Sequence, residues 1–222
     1  MKLAEQRRKT LERMRLYVIT GDHGDEVETA RIVEAALDGG ASVIQLRKKS
    51  MPMAEQFRLA LALRTLTSEH EALLIINDHA DLAIAADADG VHLGQDDLPP
   101  DVVRALPGFD GRLIGRSTHS LEQARAAIDE GADYIAVGPV YPTPTKEGRP
   151  AVGTGLLARV AEIVDRPFVA VGGIDHDSAP AVVEAGAAAI AVVRAVYDAI
   201  DPAESARRLH ELIVTRLEVA RR

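Results

Sequence analysis

Cysteine is absent from the 222-residue chain, so disulfides, thiolate nucleophiles and cysteine-ligated zinc are excluded. Aromatic residues make up only 3% of the sequence and offer little stacking surface, so any small ligand would be held by hydrogen bonds and aliphatic contacts. Long apolar runs are missing too: the longest, 185–193, is far too short to span a bilayer. The first nine residues lack the apolar core of a secretory signal, and a soluble cytoplasmic protein with no membrane partner is expected. Positive charge is in deficit, with 26 Lys and Arg against 34 Asp and Glu and a net charge of −8. That balance argues against nucleic acid as the main partner, although a locally basic pocket can still take a small anion.

The remainder is 47% hydrophobic, enough to build a core in a chain of this length. Short apolar runs fall at 16–19, 42–46, 73–76, 90–93, 113–115, 134–137, 167–171 and 188–193. Helical periodicity occupies 27–37, 54–66, 121–128, 156–163 and 178–185 between them. The runs are mostly unbroken rather than alternating, which suits strands buried on both faces of a parallel sheet. Signatures such as Asp38-Gly39-Gly40-Ala41 and Glu130-Gly131-Ala132-Asp133 precede several runs and supply the glycine that ends a helix. Eight strands alternating with helices predict an α/β chain closed into a (β/α)8 TIM barrel, one domain over residues 1–222. An open doubly wound sheet competes, but Thr20-Gly21-Asp22-His23-Gly24 after the first strand lacks the glycine pattern that fold uses for phosphates. Residues 1–15, charged with scattered Leu3, Leu11 and Met14, predict an extra N-terminal helix closing the lower end of the barrel. The oligomeric state is open, and a homo-oligomer is compatible with the sequence.

In such a barrel the residues that end each strand face the active site. Those ends carry Gln45, Arg47 and Lys49, then Asn77 and Asp78, then Asp97, Ser117, and Thr143 to Lys146. A period of two sets Gln45, Arg47 and Lys49 on one side of their strand, with Lys48 pointing away. Cations alone suggest an anion site; adding Asp78 and Asp97 suggests Mg²⁺, which is held by one or two carboxylates plus phosphate oxygens. Gly172-Gly173 lets a ligand approach backbone N–H groups, and with Val193-Arg194 it occupies the usual phosphate position of these barrels. Each residue also has a plainer reading. Asp97 and Asn77-Asp78 could cap helices, Gly172-Gly173 could be a tight turn, and His79 and His92 read as structural hydrogen-bonding groups. The match of residues 153–158 to a dinucleotide fingerprint follows a proline-containing loop rather than a strand and is discounted. Residues 142–153, with three prolines and two glycines, are the candidate for a loop that orders on ligand binding.

Taken in order, the motifs Gln45-Leu46-Arg47-x-Lys49, Asn77-Asp78, Gly90 to Asp97, Gly138-Pro139-Val140-Tyr141-Pro142-Thr143-x-Thr145-Lys146 and Val171-Gly172-Gly173-Ile174 resemble thiamine phosphate synthases. The resemblance implies condensation of 4-amino-5-hydroxymethyl-2-methylpyrimidine diphosphate with hydroxyethylthiazole phosphate, giving thiamine phosphate and diphosphate; the carboxylated form of the thiazole also loses CO2. It further implies that Gln45, Leu46, Arg47, Lys48, Lys49, Asn77, Ser117 and Lys146 bind the pyrimidine diphosphate, with Lys146, Arg47, Lys49 and Ser117 catalytic. Thr143, Pro144, Thr145, Gly173, Val193 and Arg194 would surround the thiazole phosphate, and Asp78 and Asp97 would hold Mg²⁺. Arg116-Ser117-x-His119 also resembles the related thiazole tautomerases, which use a histidine there and generally lack the full diphosphate-binding set. A thiamine-precursor sensor without catalysis is the alternative from another class.

Overall fold

The computed structural model describes residues 2–143 and 150–220. Eight strands run β1 (Leu16–Ile19), β2 (Val43–Leu46), β3 (Leu73–Asn77), β4 (Gly90–Leu93), β5 (Leu113–Thr118), β6 (Tyr134–Val137), β7 (Phe168–Val171) and β8 (Ile190–Val192). All pair in parallel in sequence order, and β8 returns to β1 through Leu16 opposite Ile190, so the sheet closes into a barrel. Around and between the strands lie α1 (Lys2–Arg13), α2 (Glu26–Asp38), α3 (Met53–Glu69), α4 (Ala80–Ala85), α5 (Pro100–Arg104) and α6 (Leu121–Asp129). They continue as α7 (Gly153–Ile163), α8 (Ala179–Glu184), α9 (Arg194–Tyr197) and α10 (Pro202–Ala220).

The apolar runs are unbroken because each strand buries both faces, and the period of two divides them between two cores. Leu16, Val18, Ile44, Leu46, Leu74, Ile76, Val91 and Ile114 pack outward beneath the helices. Tyr17, Ile19, Val43, Leu73, Ile75, Leu113, Tyr134, Ala136 and Ala191 point into the barrel. Parity thus decides which residues can reach the mouth. β5 extends three residues beyond its apolar stretch because Arg116, Ser117 and Thr118 keep pairing with Ile135, Ala136 and Val137 of β6, all three polar side chains being buried.

The expected N-terminal helix is present as α1. Leu11 and Met14 join the inner core, each contributing about 1.5–3 kcal/mol by burial. Arg7 fixes the helix to the barrel: its Nε donates to Asp89 Oδ1 at 2.9 Å. Asp89 Oδ2 accepts from Arg64 Nη1 at 2.5 Å and from the Leu74 amide at 2.9 Å, so the buried carboxylate is fully engaged.

Candidate active site

At the C-terminal ends of the strands a cavity of about 600 Å³ opens. Gln45, Arg47, Lys49, Asn77, Asp78, Asp97, Ser117, Thr143, Gly173, Val193 and Arg194 line it, as expected from their positions at strand ends. Pro144, Thr145 and Lys146 lie outside the described residues.

Two residues that the motif resemblance had assigned to the pyrimidine diphosphate are placed elsewhere. Leu46 packs in the outer core beneath the helices. Lys48, only 2% exposed, turns away from the cavity and donates to the carbonyls of His23 and Gly24 and to the Tyr197 hydroxyl. Both placements have one cause: along an extended chain neighbours point to opposite faces, and Gln45, Arg47 and Lys49 hold the inward parity. Burial pushes the Lys48 ammonium down from its ordinary range, and Asp22, Glu28 and Asp25 oppose that shift. Lys48 therefore ties the loop after β1 to α9, the element that carries Arg194.

Local bonds hold the cavity residues in place. Thr20 Oγ1 accepts from the Arg47 amide at 2.8 Å and donates to the Arg47 carbonyl at 3.1 Å, which anchors the end of β2 to that of β1. Asp22 stands 3.7 Å from the Arg47 guanidinium. The segment after β4 is fastened by Arg116, whose Nη1 donates to the Leu98 carbonyl at 3.0 Å, and by Gln95, whose Nε2 donates to the Ser117 carbonyl at 2.6 Å. Asp97 caps no helix; α5 begins at Pro100 after Pro99 without a side-chain cap. Instead Asp97 Oδ2 accepts from the Gly94 amide at 2.6 Å, which turns the carboxylate toward Asp78. Asp78 occupies left-handed backbone at φ 62°, a conformation uncommon for a residue with a Cβ, and α4 likewise starts without a side-chain cap.

Electrostatics distinguish this corner. Burial pushes the Asp97 carboxyl above the ordinary carboxylate range, and the neighbouring Asp78 adds to the shift while Lys49 opposes it. Two carboxylates in contact repel unless a cation lies between or beside them, and Lys49 Nζ lies 3.2 Å from Asp78. The donor set suits a hard divalent cation that takes its remaining ligands from phosphate oxygens and water. Among the described residues no cluster of three or more His, Cys, Asp or Glu side chains could hold a metal unaided.

Across the mouth, Gly172 and Gly173 have φ 100° and 66°; a Cβ on the first would sit 2.5 Å from Pro139 Cβ and on the second 2.7 Å from Tyr141 Cβ. Only glycine fits this turn. Beside it begins the one-turn α9, in which the Val196 and Tyr197 amides bond the Val193 carbonyl at 3.2 and 2.8 Å.

His119 is not among the described residues that line the cavity; its Nδ1 meets the Gly138 carbonyl. In the histidine that the tautomerase reading makes catalytic, Nδ1 is thus directed to a backbone carbonyl. The fingerprint-like segment opens α7 after a loop, with Val152 ahead of Gly153. His92, read as structural, does make structural bonds but also lines the cavity, together with Tyr17 and Gln95. Inward parity was the available signal for Tyr17 and His92; Gln95 lies beyond β4 and carries none.

The fold and the mouth define a (β/α)8-barrel enzyme equipped to hold anionic small molecules. The sequence profile described as thiamine monophosphate synthase matches residues 16–196, and the chain belongs to that family of transferases. It is 49% identical over 195 residues to a thiamine-phosphate synthase of Gloeobacter violaceus, covering 88% of this chain but only 56% of that longer protein. With the enzyme of the same name from Mycolicibacterium vanbaalenii it shares 43% identity, over 90% of this chain and 95% of the relative. A solved thiamine phosphate pyrophosphorylase from Pyrococcus furiosus superposes with a TM-score of 0.85 at 37% identity, covering 93% of this chain and 98% of that one.

Proposed function

We propose that the chain condenses 4-amino-5-hydroxymethyl-2-methylpyrimidine diphosphate with hydroxyethylthiazole phosphate, or with its carboxylated form, which also loses CO2, to give thiamine phosphate and diphosphate. One observation carries this reading: Lys49 and the Asp78–Asp97 pair meet in one corner of a cavity that Arg47, Gln45 and Ser117 also line. A binding protein gains nothing from two repelling carboxylates beside its anion site. An enzyme that must stabilise a departing diphosphate does.

The C–O bond to the pyrimidine methyl carbon breaks with its electron pair passing to the diphosphate, and the thiazole nitrogen then forms the C–N bond. Arg47 and Lys49 meet the charge that grows on the leaving oxygen, an interaction stronger in the transition state than in the ground state. Ser117 and Asn77 orient the diphosphate, and Lys146 is assigned to it by motif. Gln45 holds the pyrimidine. Thr143, Gly173, Val193 and Arg194 form the opposite wall and would seat the thiazole phosphate, with Pro144 and Thr145 assigned there by motif. Mg²⁺, held by Asp78 and Asp97, would neutralise the diphosphate as it departs. No protein nucleophile is required, which suits a cysteine-free site.

Purified protein supplied with both precursors and Mg²⁺ is expected to form thiamine phosphate, detected by fluorescence after oxidation. Tight binding of the precursors with no product would replace the enzyme by a sensor. Isomerisation of a carboxythiazole phosphate that persists in Asp78→Ala and disappears in His119→Ala would replace it by a tautomerase.

A further inference from the structure

Beneath the cavity a continuous chain of buried hydrogen bonds crosses the inside of the barrel. Gln45 Nε2 donates to the Tyr17 hydroxyl at 2.7 Å, and the Tyr17 and Tyr134 hydroxyls are 3.0 Å apart. The Tyr134 hydroxyl lies 3.1 Å from His92 Nδ1, and His92 Nε2 lies 3.0 Å from Ser117 Oγ. Five strands contribute one member each, and both ends of the chain line the cavity.

Counting protons gives the chain a direction. The Tyr17 oxygen accepts from Gln45, so its single hydrogen goes to its other oxygen partner, Tyr134. Tyr134 then spends its own hydrogen on His92 Nδ1. A ring nitrogen that accepts carries no hydrogen, so the neutral imidazole holds its proton on Nε2 and donates it to Ser117 Oγ. Ser117 accepts from His92, and its hydroxyl hydrogen is directed away from His92. Burial raises both phenol pKa values well above the ordinary range, so neither tyrosine gives up the hydrogen that the chain needs. Space is also arranged for the chain: a Cβ on Gly115 would lie 2.2 Å from Tyr134 Cζ and 2.5 Å from His92 Nδ1, so only glycine admits that contact.

We infer that Tyr17, Tyr134 and His92 are positioning residues forming a one-way hydrogen-bond relay that sets the polarity of both cavity walls. Gln45 is held with its amide nitrogen inward and presents Oε1, an acceptor, to the ligand. Ser117 is held as a donor. The relay therefore selects a ligand that offers a hydrogen-bond donor, such as a ring amino group, at Gln45 and an anionic oxygen about Ser117. A ring bearing a carbonyl in place of the amino group would meet the wrong atom of Gln45 unless every bond in the chain reversed. The choice of ligand rests on the reading given under Proposed function; the direction of the relay rests on the bond that Gln45 Nε2 donates to Tyr17.

The His92 ring reports that direction. Long-range proton–nitrogen NMR on the uniformly labelled, full-length protein, with the His92 signals identified by their absence in His92→Asn, is expected to show Nδ1 bare and Nε2 protonated. A neutral ring protonated on Nδ1, or an imidazolium at neutral pH, overturns the relay. Tyr134→Phe removes the donor to Nδ1, so both tautomers should appear and kcat/KM for the pyrimidine diphosphate should fall about tenfold, the effect of one lost hydrogen bond. Retention of the wild-type tautomer and of kcat/KM in that variant also overturns it. If the wild-type protein forms no thiamine phosphate, the proposed reaction fails while the ring signal still decides the relay.

Discussion

Lys49 Nζ stands 3.2 Å from Asp78 Oδ2, and the Asp78 carboxyl is in turn within hydrogen-bonding reach of Asp97. A cation and two carboxylates thus meet in one cavity with a strand-end serine, and the proposed function has this corner receive a diphosphate together with a divalent ion. Asp78→Asn removes one of the two carboxylates without changing the side chain's size. Its rate of thiamine phosphate formation should fall by about 10²–10³. Magnesium titration of activity should shift to higher concentration in the same variant, and an unshifted titration would remove Asp78 from the metal site.

The same pair predicts a pH effect with a definite sign. Burial and the adjacent Asp78 hold the Asp97 carboxyl above its ordinary range in the folded chain. A carboxyl with a raised folded pKa favours the fold fully below its unfolded value, about 3.9, and loses that contribution as pH rises through the folded value. Asp97→Asn keeps a carbonyl to accept from the Gly94 amide but cannot ionise. Without metal its Tm should exceed that of the wild type at neutral pH, and the two should converge in acid. Thermal melts across pH check this; a variant that melts lower than wild type at neutral pH contradicts it.

Adjacent lysines should behave in opposite ways. Lys48→Met leaves two carbonyls and the Tyr197 hydroxyl without their buried donor, at a cost of about 1–3 kcal/mol. Because α9 is loosened, KM for the thiazole phosphate should rise more than kcat falls. Lys49 has a half-exposed side chain, so Lys49→Met should melt close to wild type while kcat drops about 10²-fold. Urea denaturation and steady-state kinetics on the two variants separate these roles.

The division between those two lysines also marks what could be read before the fold was known. Strand periodicity alone set Gln45, Arg47 and Lys49 together, and the ends of β4 and β6 coincide with their apolar runs because an aspartate and a glycine bound each of them. Motif likeness carries no information on where the Leu46 and Lys48 side chains turn, since it ignores parity. β5 looked shorter than it is because its last three residues are polar although buried. Short elements such as α4, α5 and α9 have too few turns for a periodic signal. Tyr17 and Tyr134 are 117 positions apart, and only barrel closure brings their hydroxyls together, so no local pattern could reveal the relay.

At the opposite end of the barrel Asp89 tests whether stability and catalysis are separable. Its carboxylate is almost fully buried and accepts from Arg7, Arg64 and the Leu74 amide. Asp89→Ala strands two guanidinium groups and a strand amide, and removing one partner of a buried ion pair costs about 3–5 kcal/mol. Tm should fall steeply, because α1 loses the bond that seats Arg7 and with it the burial of Leu11 and Met14. None of these residues lines the cavity, so kcat and both KM values measured well below the lowered Tm should match wild type. Activity lost in step with α1 at low temperature would mean instead that the plug at the bottom of the barrel sets the geometry of its mouth.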